Sequence, residues 1–273
     1  MPPGFFVPTD GSFVPRPHAH SPWGADLLHG RLLAGLAVRL VEQEHGSTDL
    51  QLCRVTADLF SAVPMVPVRL EATRVRDGRR IRMVDVVVTA EGRTVLRVSA
   101  LLLASSLPPP GSVWGAGAWD APVPEEPPGA VPGSGGGGEQ DTGEQDTGFP
   151  ELRLVGPALG NPSGPARAWV HDRWPLVDGE PMTPLQRTVL AADLANPVGN
   201  WGSEGLGYIN ADLTAHVVRP PVGAWIGIEV VDHQAGSGRA MAMCRLHDRT
   251  GPIGSTTVTA MVPSGPAQAG LGR

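Results

Sequence analysis

Across residues 26–44 the apolar side chains fall at Leu28, Leu32, Leu36, Leu40 and Val41, the three-and-four spacing that lines one face of an α-helix. The period then changes. Residues 50–60, 66–76, 79–90 and 93–104 read as strands, with the apolar and polar alternation expected when one face is buried. The last three are joined by Arg76-Asp77-Gly78-Arg79 and Ala90-Glu91-Gly92-Arg93, where glycine supplies the positive φ of a tight hairpin. The pattern predicts one helix followed by an antiparallel meander.

The same order recurs later: a strand at 166–174, a helix at 184–197, and strands near 206–218, 224–231, 239–246 and 253–262. Thr183, Pro184 and Gln186 form a capping-box start for the second helix, with proline at its first position. Ala57-Asp58-Leu59 in the first post-helical strand returns as Ala211-Asp212-Leu213. An α+β fold built from two similar units follows, each with a one-sided sheet wrapped around an amphipathic helix. Pairing the two sheets edge to edge would remove two exposed edges.

Residues 105–150 separate the units. They hold Pro108-Pro109-Pro110, a run of glycines from Gly135 to Gly138 and a tandem EQDTG pair, and their low apolar content cannot offset the entropy of ordering. The segment is expected to be a flexible Pro/Gly-rich linker, with Trp114 and Trp119 as local anchors. The expected domains are therefore 1–104 and 151–273.

Composition narrows the function classes. A chain of 273 residues, 41% hydrophobic and 18% charged, suits two modest globular domains. The net charge is −6 and all 21 basic residues are arginine, which leaves no basic field for a nucleic-acid backbone. Residues 1–12 lack a basic stretch followed by an apolar core, and no run approaches the ~20 apolar residues that cross a bilayer; no membrane partner and a cytoplasmic location are expected. Cys53 and Cys244 stand in apolar runs without a CxxC or a histidine pair and read as buried thiols, while His18 and His20 lack spaced partners, so neither a metal nor another cofactor is expected.

Several short stretches carry a family likeness: Ser21-Pro22-Trp23-Gly24, Leu28-His29-Gly30, Arg76-Asp77-Gly78-Arg79-Arg80, Ala192-Asp193, and Ile209-Asn210-Ala211-Asp212-Leu213-Thr214 followed by Val218-Arg219-Pro220. In this order and spacing the chain resembles the double-hotdog acyl-CoA thioesterases, thioesterase II-like and of the actinobacterial branch. The likeness covers nearly everything except the linker and both tails. It implies two antiparallel sheets, each around a central helix, and hydrolysis of an acyl-CoA or acyl-carrier thioester by water activated at a helix carboxylate. The protein could act as a monomer or a homo-oligomer.

The resemblance also implies site residues. Asp193 matches the carboxylate base; in the middle of the second helix it either faces the apolar sheet, where desolvation raises its pKa, or faces solvent. Asn210 falls where the family has a hydroxyl residue that orients water, and otherwise satisfies local backbone. A glutamine expected on the last strand falls on Val258, and a shift of one residue to Thr257 or Thr259 would turn the side chain to the other face. The Gly30 amide at the start of the first helix is the candidate oxyanion donor, or the glycine serves close packing. Trp23, His29, Thr257 and Val258 are candidate substrate contacts. Arg76, Arg79 and Arg80 either meet CoA phosphates or form a solvated hairpin tip. Two other readings stay open: an acyl-thioester-binding protein without hydrolysis, for which Val258 speaks, and a dehydratase or hydratase of 3-hydroxyacyl thioesters pairing His20 with Asp193.

Overall fold

The alternating runs assemble into antiparallel sheet around two helical layers, in a computed structural model that describes residues 2–115, 117–125, 148–161 and 164–263. The first half contains β1 (Phe6–Thr9), β2 (Ser12–Pro15), α1 (Gly30–His45), β3 (Leu50–Leu59), β4 (Val68–Asp77), β5 (Ile81–Ala90) and β6 (Arg93–Ala104). The second contains β7 (Glu151–Leu154), β8 (Arg167–His171), α2 (Pro184–Ala192), α3 (Ala195–Asn200), β9 (Asp212–Val217), β10 (Ile226–Gly236), β11 (Arg239–Asp248) and β12 (Gly251–Met261). The order across the sheet is β1-β2-β4-β5-β6-β3-β9-β12-β11-β10-β8-β7, and Ile209–Asn210 adds a short pairing on β12.

The two expected sheets are thus one continuous sheet. Its seam is the β3–β9 pair, where Asp58 faces Asp212, Ala57 faces Leu213 and Thr56 faces Thr214. The repeated tripeptides are each other's partners. Facing aspartates repel, and each is compensated: Arg97 lies 3.4 Å from Asp58, and the Thr259 amide donates to Asp212 Oδ1 at 2.6 Å. α1 packs on β3, β4, β5 and β6, α2 and α3 pack on strands of the second half, and α1 packs on α2. The core lies between these helices and the inner face of the sheet.

Local deviations from the expected elements have local causes. The first helix begins at Gly30, not near residue 26, because Leu27 and Leu28 pair with Pro64 and Val63 in a small three-stranded sheet. The second helix carries the expected capping box, with the Gln186 amide donating to Thr183 Oγ1 at 3.1 Å and the Thr183 amide to Gln186 Oε1 at 3.4 Å. It then breaks at Asp193 and Leu194 instead of running to residue 197. Pro197 has no N–H for the Asp193 carbonyl four residues back; the Asn196 amide takes that acceptor at 3.1 Å, the tighter bonding of a 3₁₀ turn. The expected strand at 206–218 is likewise divided into short pieces.

The β1–β2 hairpin was not anticipated, because Pro8 and Pro15 disguise edge strands. It clasps the second half through Phe5 N–H to the Pro175 carbonyl at 2.9 Å and Asp178 N–H to the Phe6 carbonyl at 2.9 Å. Within the expected linker, residues 116 and 126–147 lie outside the described residues. Of its two tryptophans, Trp114 is exposed, whereas Trp119 stacks on Trp169 at 4.9 Å and lies tilted against His247 at 4.8 Å. Gly227 makes room for that ring: a Cβ there would come within 2.2 Å of it. Cys244 is buried, its thiol pushed up to about 12 by desolvation, while Cys53 is only half-buried and its Sγ–H donates to the Gln51 carbonyl at 3.3 Å.

Candidate active site

A cavity of about 500 Å³ lies where the two halves meet at the N-terminal end of α1. The first half contributes Trp23, Leu28, His29, Gly30 and Leu33, the end of β3 at Leu59, the loop through Phe60 and Val63, and the start of β6 at Val95 and Leu96. The second contributes Asp193, Ile209, Asn210, Ala211 and Met261. The walls are mostly apolar with a few convergent polar groups, the usual make-up of a small-molecule site. Trp23, His29, Gly30, Asp193 and Asn210, which the sequence singled out separately, are together here.

Asp193 is the carboxylate of this cavity. It is 5% exposed, and burial raises its pKa, partly countered by the hydrogen bond from Asn210 and by the charge of Arg31. Asn210 Nδ2 donates to Asp193 Oδ1 at 2.7 Å. The helix break at Asp193 and the short Ile209–Asn210 pairing on β12 bring these two side chains together. A desolvated carboxylate with one oxygen steadied by an amide is suited to take a proton from water.

Gly30 opens α1, where a first-turn amide has no intrahelical acceptor and the helix dipole favours developing negative charge. A Cβ on Gly30 would come within 2.6 Å of Leu59 Cδ2, so glycine also allows β3 to close on the helix. Gly30→Ala is expected to push Leu59 into the cavity and lower kcat/KM roughly tenfold, and adding Leu59→Ala is expected to recover most of the loss. Steady-state kinetics of the single and double variants check this.

His29 precedes α1 and is 8% exposed. Burial, then the charges of Arg31 and His20, hold its pKa well below the ordinary histidine value, so the imidazole is neutral. Its ring stacks on Phe149 at 6.5 Å, and its buried Nε2 has no hydrogen-bond partner among the described residues.

Two expected contacts lie outside the cavity, as do the residues of two alternatives that the sequence left open. Val258 is fully buried in the core, in the inner row of β12 with Thr256 and Ala260, and does not line the cavity. Thr257 belongs to the opposite row and does not line it either. The buried polar residue in the inner row is Thr256, whose hydroxyl donates to the Ala192 carbonyl at 3.3 Å, next to Asp193; its apolar neighbours hid it in the sequence. The Arg76–Arg80 tip is at the wrong end: Arg74 and Arg82 beside it hydrogen-bond His45 at the C-terminus of α1, and a 16-residue helix spans roughly 24 Å from Gly30. His20 does not line the cavity, and its Nδ1 lies 3.2 Å from the Ser21 carbonyl oxygen.

The sequence also concealed a buried ion pair. Arg31 Nη1 donates to Asp172 Oδ1 at 2.7 Å, and Nη2 to the Gly148 carbonyl at 2.8 Å, with the Arg31 side chain 0% and the Asp172 side chain 2% exposed. Its only signal was a lone arginine among the apolar residues of the helix start.

Comparison with known families fits this geometry. The acyl-CoA thioesterase N-terminal domain matches residues 19–103 and the acyl-CoA thioesterase C-terminal domain matches residues 120–262. The chain belongs to the acyl-CoA thioesterase family. Among solved structures it is similar to a TesB protein of Mycobacterium avium subsp. paratuberculosis, at 14% identity and TM-score 0.64, covering 92% of each chain. It is also similar to the acyl-CoA thioesterase II TesB2 of Mycobacterium marinum, at 19% identity and TM-score 0.59, covering 87% of this chain and 90% of that one. A hot dog protein of unknown function from Alicyclobacillus acidocaldarius matches at 12% identity and TM-score 0.66, covering 96% of each. These likenesses show the hotdog fold. No curated protein matches the chain.

In this thioesterase-family chain the two helix starts are not equivalent. Gly30 and Pro184 open the first and second helices, and Ala57 and Ala211 open the repeated tripeptides, both pairs 154 positions apart. By the same spacing Asp193 corresponds to Arg39, which is held by Glu180 through two bonds of 2.6 Å. The start of α2 offers a proline without N–H where α1 offers Gly30. Glu42 fills the space before it, accepting from Thr183 Oγ1 at 2.7 Å and Gln186 Nε2 at 3.1 Å. A carboxylate therefore shares a cavity with an open helix start at α1, whereas the start of α2 is closed.

Proposed function

We propose that the chain is a double hotdog, with units at 1–104 and 151–273 joined by 105–150, that hydrolyses acyl-CoA or acyl-carrier thioesters at the cavity between the units. The observation that carries this reading is Asp193: a buried carboxylate in the wall of an apolar cavity, steadied by Asn210 at 2.7 Å and sharing that wall with the free helix start at Gly30. The acyl chain occupies the apolar part of the cavity. Asp193 takes a proton from water as the water oxygen bonds to the thioester carbon. The Gly30 amide donates to the oxyanion that forms. Collapse of the tetrahedral intermediate breaks the C–S bond, and the proton on Asp193 passes to the leaving sulfur, giving a carboxylic acid and a thiol.

The test is release of free thiol from acetyl-, decanoyl- and palmitoyl-CoA by the purified protein. Turnover on at least one supports hydrolysis. Binding without turnover supports the second reading, an acyl-thioester-binding protein, for which the lack of a glutamine on β12 speaks.

A further inference from the structure

A second cavity, of about 20 Å³, adjoins the first at Asp193. Space of roughly 10–15 Å³ or more admits one water when polar groups line it. Trp23, His29, Asp193 and Asn210 line both cavities and so form the partition between them. Asn196 lines only the small one, and its side chain is already engaged, donating from Nδ2 to the Tyr208 carbonyl at 3.1 Å and accepting at Oδ1 from Asn200 Nδ2 at 2.9 Å. Asn210 Nδ2 is committed to Asp193. The buried side-chain atom of the partition left without a partner among the described residues is His29 Nε2. An enclosed polar atom without a partner costs about 1–3 kcal/mol, a cost that one water in the small cavity would remove.

Resting on the thioesterase reading, we propose that the small cavity seats the attacking water and that His29, not a residue of β12, is its second hydrogen-bond acceptor beside Asp193. The neutral ring accepts at Nε2 when the proton sits on Nδ1. With one hydrogen held by Asp193 and the other by His29, the water keeps a lone pair for the thioester carbon, which it meets where the two cavities adjoin. No glutamine on β12 is then needed, because the water is oriented from the loop before α1.

The experiment measures kcat and KM of the full chain on the fastest substrate among acetyl-, decanoyl- and palmitoyl-CoA. His29→Phe keeps a ring against Phe149 and removes the acceptor; kcat is expected to fall roughly 100-fold with KM little changed, the mark of an interaction made in the chemical step. His29→Gln restores an acceptor and is expected to recover most of that loss, which a purely structural role would not do. Leu206→Phe fills the small cavity from a wall the main cavity does not share and is expected to lower kcat in the same way, with melting curves confirming that each variant folds. A parent protein that hydrolyses none of the three overturns both readings. A parent that loses turnover with Asp193→Asn yet keeps it with folded His29→Phe and Leu206→Phe overturns this inference alone.

Discussion

Asp193→Asn is expected to lower thioester turnover roughly 10³-fold, within the range a positioned general base supplies, while making the protein more stable at neutral pH. The two effects share a cause. Burial raises the Asp193 pKa above its ordinary value, so as pH rises the unfolded chain gives up this proton first. Native stability from the proton is therefore full below the unfolded value of 3.8 and is lost as pH climbs through the raised folded value. Above that window the enzyme carries a desolvated charge that asparagine would not carry. Thermal melts of parent and variant should diverge with rising pH and converge in acid. Activity of the parent should fall on acidification through the same raised pKa, because the base must be ionised. A variant no more stable than the parent at neutral pH, with the acidic limb at ordinary carboxylate values, would contradict the desolvated-base account.

The second large effect concerns the Arg31–Asp172 pair, which joins α1 to the segment after β8. Arg31→Met leaves a buried carboxylate facing no cation, and breaking a buried pair in this way costs about 3–5 kcal/mol. For a chain of this size that is a fall in Tm on the order of 10 °C. Adding Asp172→Leu is expected to recover much of the loss, since two apolar side chains replace a buried pair at little net cost. Arg31 also stands at a helix start, where a cation is opposed by the dipole, so the pair is poorly explained by stability alone. Its charge lowers the pKa of Asp193. The double variant should therefore regain its Tm yet keep an acidic limb shifted upward, which a pH–rate profile would detect.

Much of the architecture was legible along the chain because it rests on local rules. The apolar stripe of α1, the Gly92 turn with its positive φ, and the Thr183–Gln186 capping box each depend on residues within a few positions of one another, whereas Gly78 turns the chain without the positive φ expected of it. The repeated Ala-Asp-Leu tripeptide pointed to the strands that pair at the seam of the sheet, and the family likeness drew attention to Asp193, Asn210, Gly30, His29 and Trp23, which do share one cavity. Edge strands with prolines, such as β1 and β2, escaped notice because their pairing is supplied from elsewhere in the chain. Val258 was misplaced for a similar reason: alternation reports which residues share a face, but not where along a strand the core ends and the cavity begins.

The sequence by itself determined the elements, their order and the chemistry available, since period, capping and turn residues act over short range. Only the tertiary structure decided that the Ala-Asp-Leu repeats join two expected sheets into one. It also decided that Pro197 and the packing of Asn210 set a carboxylate at a helix break, that Arg31 finds Asp172 across 141 residues, and that one helix start stays open while the other is closed by Pro184 and Glu42. Those are contacts between distant segments. Their energies depend on burial and on which charges face each other, quantities that no local pattern of residues contains.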